Sequence, residues 1–317
     1  MTLTEFRYIV AVAQKKHFGH AAQACFVSQP TLSIAIKKLE QELDVKLFER
    51  SSKNEIRITD IGQQIVRQAQ KVLQETQVIN EISQQGKDPL SGIFKLGAIY
   101  TIGPYLLPEL IPGLSKNAPR FKLIIEESFT ANLSRSLKQG DLDAIIISYP
   151  FDEPGIETIP LYEEPFVVAI HAQHEWINKQ QIQVDELAGQ DLMLLGAGHC
   201  FRDQVIQACP KCMSESNELT RKLEGSSLET IRHMVAAGTG ITVLPCTSML
   251  YSQHNQDLIH IRNFAKPLPS RTVALAWRKH YPRREAIQIV IDTILQCRLT
   301  GTLPITSTTH THPGKPA

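Results

Sequence analysis

The hydrophobic pattern of this chain changes its period at one place, the polar stretch QQGKDPLS at residues 84–91. Before this stretch, apolar residues recur at the three- and four-residue spacing of amphipathic helices. After it, short apolar runs alternate with helical stretches, from FKLGAIY at residues 94–100 to RTVALAW at residues 271–277. Because strands that alternate with helices build parallel sheets, the second part predicts a doubly wound, Rossmann-like α/β domain. The chain is therefore predicted to join an α part to an α/β part.

The N-terminal residues predict a helix-turn-helix. Helical spacing covers Leu3 to about Lys15, and a short helix of small residues covers Ala21–Cys25. A third helix begins at Ser28, a good N-cap, with Pro30 in its first turn. Its apolar stripe consists of Leu32, Ile36, Leu39 and Leu43. A capped, polar start in front of such a stripe is what a DNA-recognition helix requires, although a plain helical bundle has the same periodicity.

The segment LFERSSKNEIRITDIG at residues 47–62 predicts a wing followed by a linker helix. Two β-prone pieces flank residues 51–54, where cationic side chains would contact phosphates. Thr59 then caps a helix that runs to about Ser83. We expect this helix to form a dimer, because a long apolar seam with no core of its own is best buried against a twin. The predicted boundaries are residues 1–58 for the winged helix-turn-helix and 59–90 for the linker helix and hinge.

The α/β part is predicted to form a domain of two lobes over residues 91–300. The chain would cross between the lobes near Glu163–Pro165 and again near residues 266–270. These crossings put lobe I at about 91–163 and 269–300, and lobe II at about 164–268. The tail at 301–317 is rich in Thr, Pro and Gly, and it is predicted to be disordered.

Composition excludes several classes of protein. Lys and Arg total 33 against 32 for Asp and Glu, so any nucleic-acid surface is local. The N-terminus does not have the pattern of a signal peptide, and no run of about 18 apolar residues predicts a membrane span. We therefore expect a cytoplasmic protein whose six cysteines do not form a disulfide framework. No catalytic triad, phosphate-binding loop or carboxylate pair is visible, so neither an enzyme nor a cofactor is expected.

The segment GHCFRDQVIQACPKC places Cys200, Cys209 and Cys212 close together in sequence. Cys200 lies at the predicted start of a helix, where backbone N–H groups favour an anion. Buried core thiols, a metal site that includes His199, and a redox pair are the three interpretations. A C-x-x-C pair suits half of a zinc site, but an adjacent His and Cys rarely converge on one metal, so no metal is expected. If the segment is helical, nine residues rise about 13 Å, too far for a disulfide between its ends.

The segment HFGHAAQACFVSQPTLSIAIKKLEQELDVKLFER resembles the DNA-binding part of LysR-type transcriptional regulators. The order of parts also resembles that family: a winged helix-turn-helix, a linker helix, and a two-lobed effector domain like a periplasmic binding protein. The resemblance implies double-stranded DNA as a partner, RNA polymerase as a further partner, and a homodimer that assembles into a homotetramer. Gln suits adenine, Thr and Ser are less selective, and Lys and Arg suit phosphates. The predicted DNA-binding residues are Ser28, Gln29, Pro30, Thr31, Ser33, Lys37, Arg50 and Lys53.

Three further segments resemble the family members that sense hydrogen peroxide: GAIYTIGPYLLPELIP, GHCFRDQVIQAC and SSLETIRHMVAAGTGITVLP. The resemblance implies that peroxide oxidises Cys200 to a sulfenic acid, which then forms a disulfide with Cys209. Cys212 is an additional thiol that departs from the pattern, so it is a possible alternative partner. The residues expected to line the peroxide pocket are Thr101, Thr130, His199, Arg202 and Asp203.

Three alternatives to peroxide sensing remain at this point. The same scaffold could bind a small metabolite between its lobes, with an inert Cys200. A thiol peroxidase could use Cys200 and Cys209, although it has no use for a helix-turn-helix. A zinc-responsive regulator would use the cysteine cluster together with His199.

Overall fold

The computed structural model describes residues 1–50, 56–85, 90–213, 224–225, 227–249 and 257–305. The chain divides into two compact units, Met1–Gly86 and Lys87–Ala317. The boundary falls within the polar stretch where the hydrophobic pattern changes its period.

The first unit is a winged helix-turn-helix followed by a long helix, as the sequence predicts. Its elements are α1 (Leu3–Lys15), α2 (Phe18–Ala24), α3 (Gln29–Leu43), β1 (Phe48–Arg50), β2 (Ile56–Ile58) and α4 (Asp60–Gln85). Strands β1 and β2 pair antiparallel and form the base of the wing.

Side chains at the ends of the helices fix the turns of this unit. The Ser28 hydroxyl accepts a hydrogen bond from the Thr31 amide, which confirms the predicted N-cap of α3. The Glu40 carboxylate accepts from the amide of Leu47 at 2.8 Å and so attaches the wing to α3. Thr59 accepts from the amide of Gly62 at 2.9 Å and donates to the carbonyl of Lys46 at 2.6 Å, which fixes the start of α4.

The first half of the linker helix α4 packs on the core of the first unit, whereas the sequence-based expectation was an apolar seam without such cover. Val66 and Ala69 are buried in the core of the first unit, where α4 packs against α1. The sequence pattern of α4 shows an apolar seam without showing which element covers it. Ile61 and Ile79 remain exposed on the helix.

The second unit is a two-lobed α/β domain. Its helices are α5 (Gly103–Asn117), α6 (Thr130–Gln139), α7 (Cys200–Ala208), α8 (Leu228–Ala236) and α9 (Arg284–Gln296). Its first strands are β3 (Gly92–Ile99), β4 (Phe121–Ser128), β5 (Ala144–Tyr149), β6 (Ile156–His171), β7 (Gln181–Ile182) and β8 (Leu192–Leu195). The remaining strands are β9 (Glu224–Gly225), β10 (Ile241–Pro245), β11 (Ile259–Phe264), β12 (Ser270–Arg278) and β13 (Leu303–Pro304).

The long strand β6 connects the two lobes. In lobe I the strands lie in the order β4-β3-β5-β12-β6, with β3 parallel to β4 and β5. The first part of β6 pairs with β12 from Ile156 to Pro165, and the rest pairs with β10 and β11 in lobe II. The chain returns to lobe I between β11 and β12. The two lobes have separate apolar cores.

The C-terminal segment is ordered beyond the point that the sequence predicts. Leu303 and Pro304 form β13 and pair with Glu163 and Tyr162 of β6, so predicted disorder is wrong for residues 301–305. Gly301, at φ +82°, makes the turn, and a Cβ there would lie 3.2 Å from the Cys246 sulfur. A strand of two residues leaves almost no sequence signal. The rest of the predicted tail, residues 306–317, lies outside the described residues.

A membrane-spanning helix would have to be long and apolar throughout. None of the helices among the described residues meets both requirements.

Candidate functional site at the junction of the lobes

Helix α7 is attached to a different lobe core at each end. Cys200 is its first residue and packs, half-buried, against the core of lobe I. Phe201 and Val205 point into the core of lobe II, and Cys209, just past the last residue of the helix, is 0% exposed in the same core. A change in the conformation of α7 would therefore disturb the packing of both lobes.

A cluster of three rings surrounds the start of α7. The His199 ring lies 4.8 Å from the Phe129 ring and 6.0 Å from the Tyr100 ring, measured between centroids. A Cβ at Gly198 would lie 3.4 Å from the Phe129 ring, and the φ of Gly198 is +96°, so glycine suits this turn. This cluster contains one predicted pocket residue and the chain neighbours of two others. His199 belongs to the cluster, and Thr101 and Thr130 directly follow its two aromatic residues.

A buried network of polar side chains joins Thr101, which follows Tyr100 of the ring cluster, to strands β6 and β12. Arg271 on β12 donates from Nε to Glu164 on β6 at 2.5 Å, and both side chains are almost fully buried. The same guanidinium donates to the Thr101 hydroxyl at 2.8 Å and to the Thr101 carbonyl at 2.7 Å. Thr247 donates to the other oxygen of Glu164. A buried charge pair of this kind is stable because hydrogen bonds satisfy its remaining polar atoms.

Arg271 and Glu164 are functional candidates that the sequence interpretation missed. The guanidinium also lies over the Phe201 ring at 5.1 Å, so Arg271 contacts both Thr101 and the first turn of α7. The sequence does contain a signal for these two residues. Glu164 and Arg271 are charged residues beside runs of apolar residues, and each lies near one of the predicted crossings between the lobes.

The two other predicted pocket residues face elsewhere in the contacts that the structure describes. Arg202 donates to the carbonyl of Leu195 at 2.7 Å, which anchors α7 to the strand before it. Asp203 is exposed on the outer face of the helix. These contacts do not test whether Arg202 and Asp203 line the peroxide pocket, so their place there stays a prediction.

Cys209 is bonded to Cys212 in this structure, and Cys200 is a free thiol. The Cα atoms of the bonded pair are 5.6 Å apart, and the Cys212 amide donates to the Cys209 carbonyl at 3.1 Å across the turn. The Cys200–Cys209 bond, which the resemblance implies for the oxidised protein, is not formed in this structure, where residues 200–208 are helical. The physical reason is the intact helix between those two residues, which separates them by about 13 Å.

The predicted alternatives for the cysteines can now be compared with the geometry. Within the described residues, no group of three or more His, Cys, Asp and Glu side chains is arranged to hold a metal ion. Two of the four residues of the hypothetical zinc set, Cys209 and Cys212, are joined to each other.

The remaining free thiols are core residues. Burial, together with the negative charge of Glu164, raises the pKa of the Cys246 thiol to about 12. Burial, together with Glu109, raises the pKa of the Cys297 thiol to about 11. Burial also raises the pKa of Cys25, which packs against the core of the first unit. A protonated thiol is a poor nucleophile, so these cysteines are not candidates for the reactive residue.

The first turn of α3 presents the predicted DNA-reading side chains to solvent. Gln29, Pro30, Thr31 and Lys37 are exposed and Ser33 is half-buried. Ser28 is exposed as well, but its hydroxyl is engaged as the cap of α3 and contacts Thr31 at 2.8 Å. The side chain of Arg50 and the whole of Lys53 lie outside the described residues.

Phe26 is a surface residue that the sequence interpretation passed over. It lies in the turn between α2 and α3 with φ at 56°, and its side chain is 96% exposed. Its position next to the recognition helix makes it a further candidate for contact with DNA.

Two family models together match both units of the chain. Residues 3–63 match the bacterial regulatory helix-turn-helix protein of the lysR family, and residues 87–297 match the LysR substrate binding domain. The chain belongs to the LysR family. This LysR-type regulator is 38% identical to the hydrogen peroxide-inducible genes activator of Pectobacterium carotovorum over 294 residues. The match covers 93% of this chain and 96% of that protein.

Solved structures of OxyR proteins resemble the regulator over nearly its whole length. A full-length OxyR variant from Pseudomonas aeruginosa is 51% identical, with a TM-score of 0.72, and covers 94% of this chain and 99% of that one. A cysteine-to-serine mutant of Corynebacterium glutamicum OxyR with bound H₂O₂ is 28% identical, with a TM-score of 0.62. That match covers 93% of this chain and 92% of that one. The resemblance to peroxide-sensing members of the family is thereby confirmed.

Proposed function

We propose that this LysR-type regulator senses hydrogen peroxide through Cys200 and converts the oxidation into a change in transcription. The observation that carries the proposal is the position of α7, with Cys200 against the core of lobe I and Cys209 in the core of lobe II. The names of its relatives, peroxide-inducible activators, support the same signal. So does the H₂O₂ bound to the C. glutamicum protein.

The first chemical step is attack of the Cys200 thiolate on one peroxide oxygen. The S–O bond forms, the O–O bond breaks, and the leaving hydroxide takes a proton to become water. Thr101 is suited to orient the peroxide, because its hydroxyl oxygen already accepts from Arg271 and leaves the hydroxyl hydrogen to donate. His199, packed in the ring cluster beside Cys200, is suited to protonate the leaving oxygen.

The second step joins Cys200 to Cys209 and releases water from the sulfenic acid. It requires Cys209 as a free thiol and α7 in an unwound state, because the helix holds the two residues about 13 Å apart. Unwinding withdraws Phe201 and Val205 from lobe II and breaks the contact of Cys200 with lobe I. The disulfide then traps a rearranged effector domain.

The rearranged effector domain is proposed to change how the oligomer binds DNA. We propose a homodimer that assembles into a homotetramer, in the cytoplasm, with RNA polymerase as the further partner. Gln29 would pair with adenine in the major groove, while Thr31 and Ser33 add less selective contacts. Lys37, Arg50 and Lys53 would bind phosphates. Because the family is one of transcriptional regulators, we propose that the reaction with peroxide serves as a signal and not as enzymatic turnover.

The test is rapid mixing of the fully reduced chain with hydrogen peroxide, followed by peptide mapping. The expected result is fast thiol loss that depends on Cys200, with a Cys200–Cys209 bond among the first products. Cys200→Ser should abolish the fast phase, and Cys246→Ser should leave it unchanged. An equal rate in the parent and in Cys200→Ser would overturn the proposal and favour a metabolite as the signal.

A further inference from the structure

Two disulfides compete for Cys209, and the structure shows which of them a folded α7 permits. The Cys209–Cys212 bond closes a turn of four residues, Cys209 to Cys212, just beyond the last residue of the helix. The Cys200–Cys209 bond spans the whole helix and requires its unwinding. The two bonds exclude each other because both use the Cys209 sulfur.

The Cys209–Cys212 bond is attached to an ordered part of lobe II. Cys209 is fully buried and Cys212 is half-buried against the same core. Pro210 and Lys211 lie between them in a 3₁₀ turn, and Lys211 pairs with Asp185 at 2.7 Å. Phe201 and Val205 stay buried while this bond is in place, so the packing of α7 is compatible with it.

We propose that Cys212 is a third redox residue, which takes over the disulfide from Cys200 and thereby ends the signal. This inference rests on the proposed function, since it begins from the Cys200–Cys209 bond. The Cys212 thiolate attacks the Cys209 sulfur, the Cys209–Cys212 bond forms, and Cys200 leaves as a thiolate. One disulfide is exchanged for another, so the exchange needs no further oxidant or reductant.

The exchange is favoured in this direction by the folding of α7. Release of Cys200 lets residues 200–208 return to the helix and restores the burial of Phe201 and Val205. Cys212 is three residues from the sulfur that it attacks, so the attack is intramolecular and its effective concentration is high. The effector domain thereby returns to the reduced arrangement while the oxidation remains stored in the C-P-K-C turn.

This transfer of the disulfide from Cys200–Cys209 to Cys209–Cys212, called the relay below, limits how long the signal lasts. After the exchange, Cys200 is reduced but Cys209 is no longer available as its partner. A second peroxide then produces a sulfenic acid on Cys200 that has no resolving thiol. Full recovery of the switch requires a dithiol reductant that opens the Cys209–Cys212 bond.

The experiment follows both disulfides with time in the full chain. Fully reduced protein receives one equivalent of hydrogen peroxide, samples are quenched with N-ethylmaleimide, and peptides are mapped. The Cys200–Cys209 bond should rise and then fall while the Cys209–Cys212 bond rises. In Cys212→Ser, the Cys200–Cys209 bond should persist at least tenfold longer. Cys297→Ser is the matched control and should follow the parent.

The outcomes separate the relay from the proposed function. A Cys200–Cys209 bond that persists equally in the parent and in Cys212→Ser would overturn the relay and leave peroxide sensing intact. A Cys200 that does not react with peroxide would overturn the proposed function. The C-P-K-C turn is tested without peroxide in Cys200→Ser treated with the thiol oxidant diamide. Formation of the Cys209–Cys212 bond supports the relay, and its absence there would overturn it.

Discussion

Arg271 donates two hydrogen bonds to Thr101, one to the hydroxyl at 2.8 Å and one to the carbonyl at 2.7 Å. This pair joins the strand that re-enters lobe I to the loop that precedes α5. It fixes the orientation of the Thr101 hydroxyl, whose oxygen accepts from Arg271 and whose hydrogen is left to donate. A buried charge on Arg271, neutralised by Glu164, is thereby used to position an uncharged group.

The Thr101 hydroxyl is expected to accelerate the reaction with peroxide. Thr101→Val keeps the shape of the side chain and removes the donor. The rate of Cys200 oxidation should fall roughly 100-fold to 1,000-fold, the loss expected for one oriented donor in a buried site. The measurement is rapid mixing with peroxide under pseudo-first-order conditions. Thr158→Val, on β6 and bonded to the Phe151 carbonyl, is the control and should react like the parent.

The Glu164–Arg271 pair is expected to stabilise the junction of the lobes only while both partners are present. Glu164→Ala leaves a guanidinium buried and unpaired, so the free energy of unfolding should fall by about 3 kcal/mol or more. Glu157→Ala removes a half-buried partner of the exposed Arg284 and should cost at most about 1 kcal/mol. Urea unfolding followed by near-ultraviolet signals of the effector domain checks the difference. Equal losses in the two variants would show that the buried pair has no special role.

The buried thiols should resist alkylation in the folded protein. Because the pKa values of Cys246 and Cys297 are raised to about 12 and about 11, both stay protonated at pH 8. The thiolate fractions there are on the order of one in 10⁴ and one in 10³. Iodoacetamide should modify both faster as pH rises toward those values, and rapidly in urea. Folded-state rates that match those in urea at pH 8 would contradict this.

Two neighbouring residues at the start of α3 are expected to have different roles: Ser28 in folding and Gln29 in DNA recognition. Ser28→Ala removes the cap and should lower the stability of the first unit by about 1 kcal/mol. Gln29→Ala removes an exposed side chain, so it should weaken binding to operator DNA with little change in stability. Thermal unfolding and binding titrations at one fixed salt concentration check the pair. A Gln29→Ala variant with unchanged affinity would remove Gln29 from the DNA contacts.

Local patterns predicted the first unit well, because its signals are local in the chain. The spacing from Leu3 to Lys15 coincides with α1, and Ser28 caps α3 as its residue type indicates. The alternation of strands and helices also predicted the two-lobed class. The cover of α4 could not be predicted, since an apolar seam does not show which partner buries it.

Only those parts of the site whose residues are neighbours in the chain could be predicted from the sequence. Cys200 and His199 lie beside each other in the chain, so their proximity was evident. The pairing of Arg271 with Thr101 joins residues 170 positions apart, and only the fold brings them together. The bond between Cys209 and Cys212 depends on where α7 ends, and helix ends are uncertain from sequence alone.

Helix α7 is proposed to unwind when Cys200 is oxidised, and amide hydrogen exchange measures this unwinding directly. Exchange at residues 201–208 would be compared in reduced and peroxide-treated Cys212→Ser, with β10 as the internal control. We predict that oxidation removes the protection of residues 201–208 and leaves β10 protected. A Cys200–Cys209 bond that forms while those amides keep their protection would contradict the account.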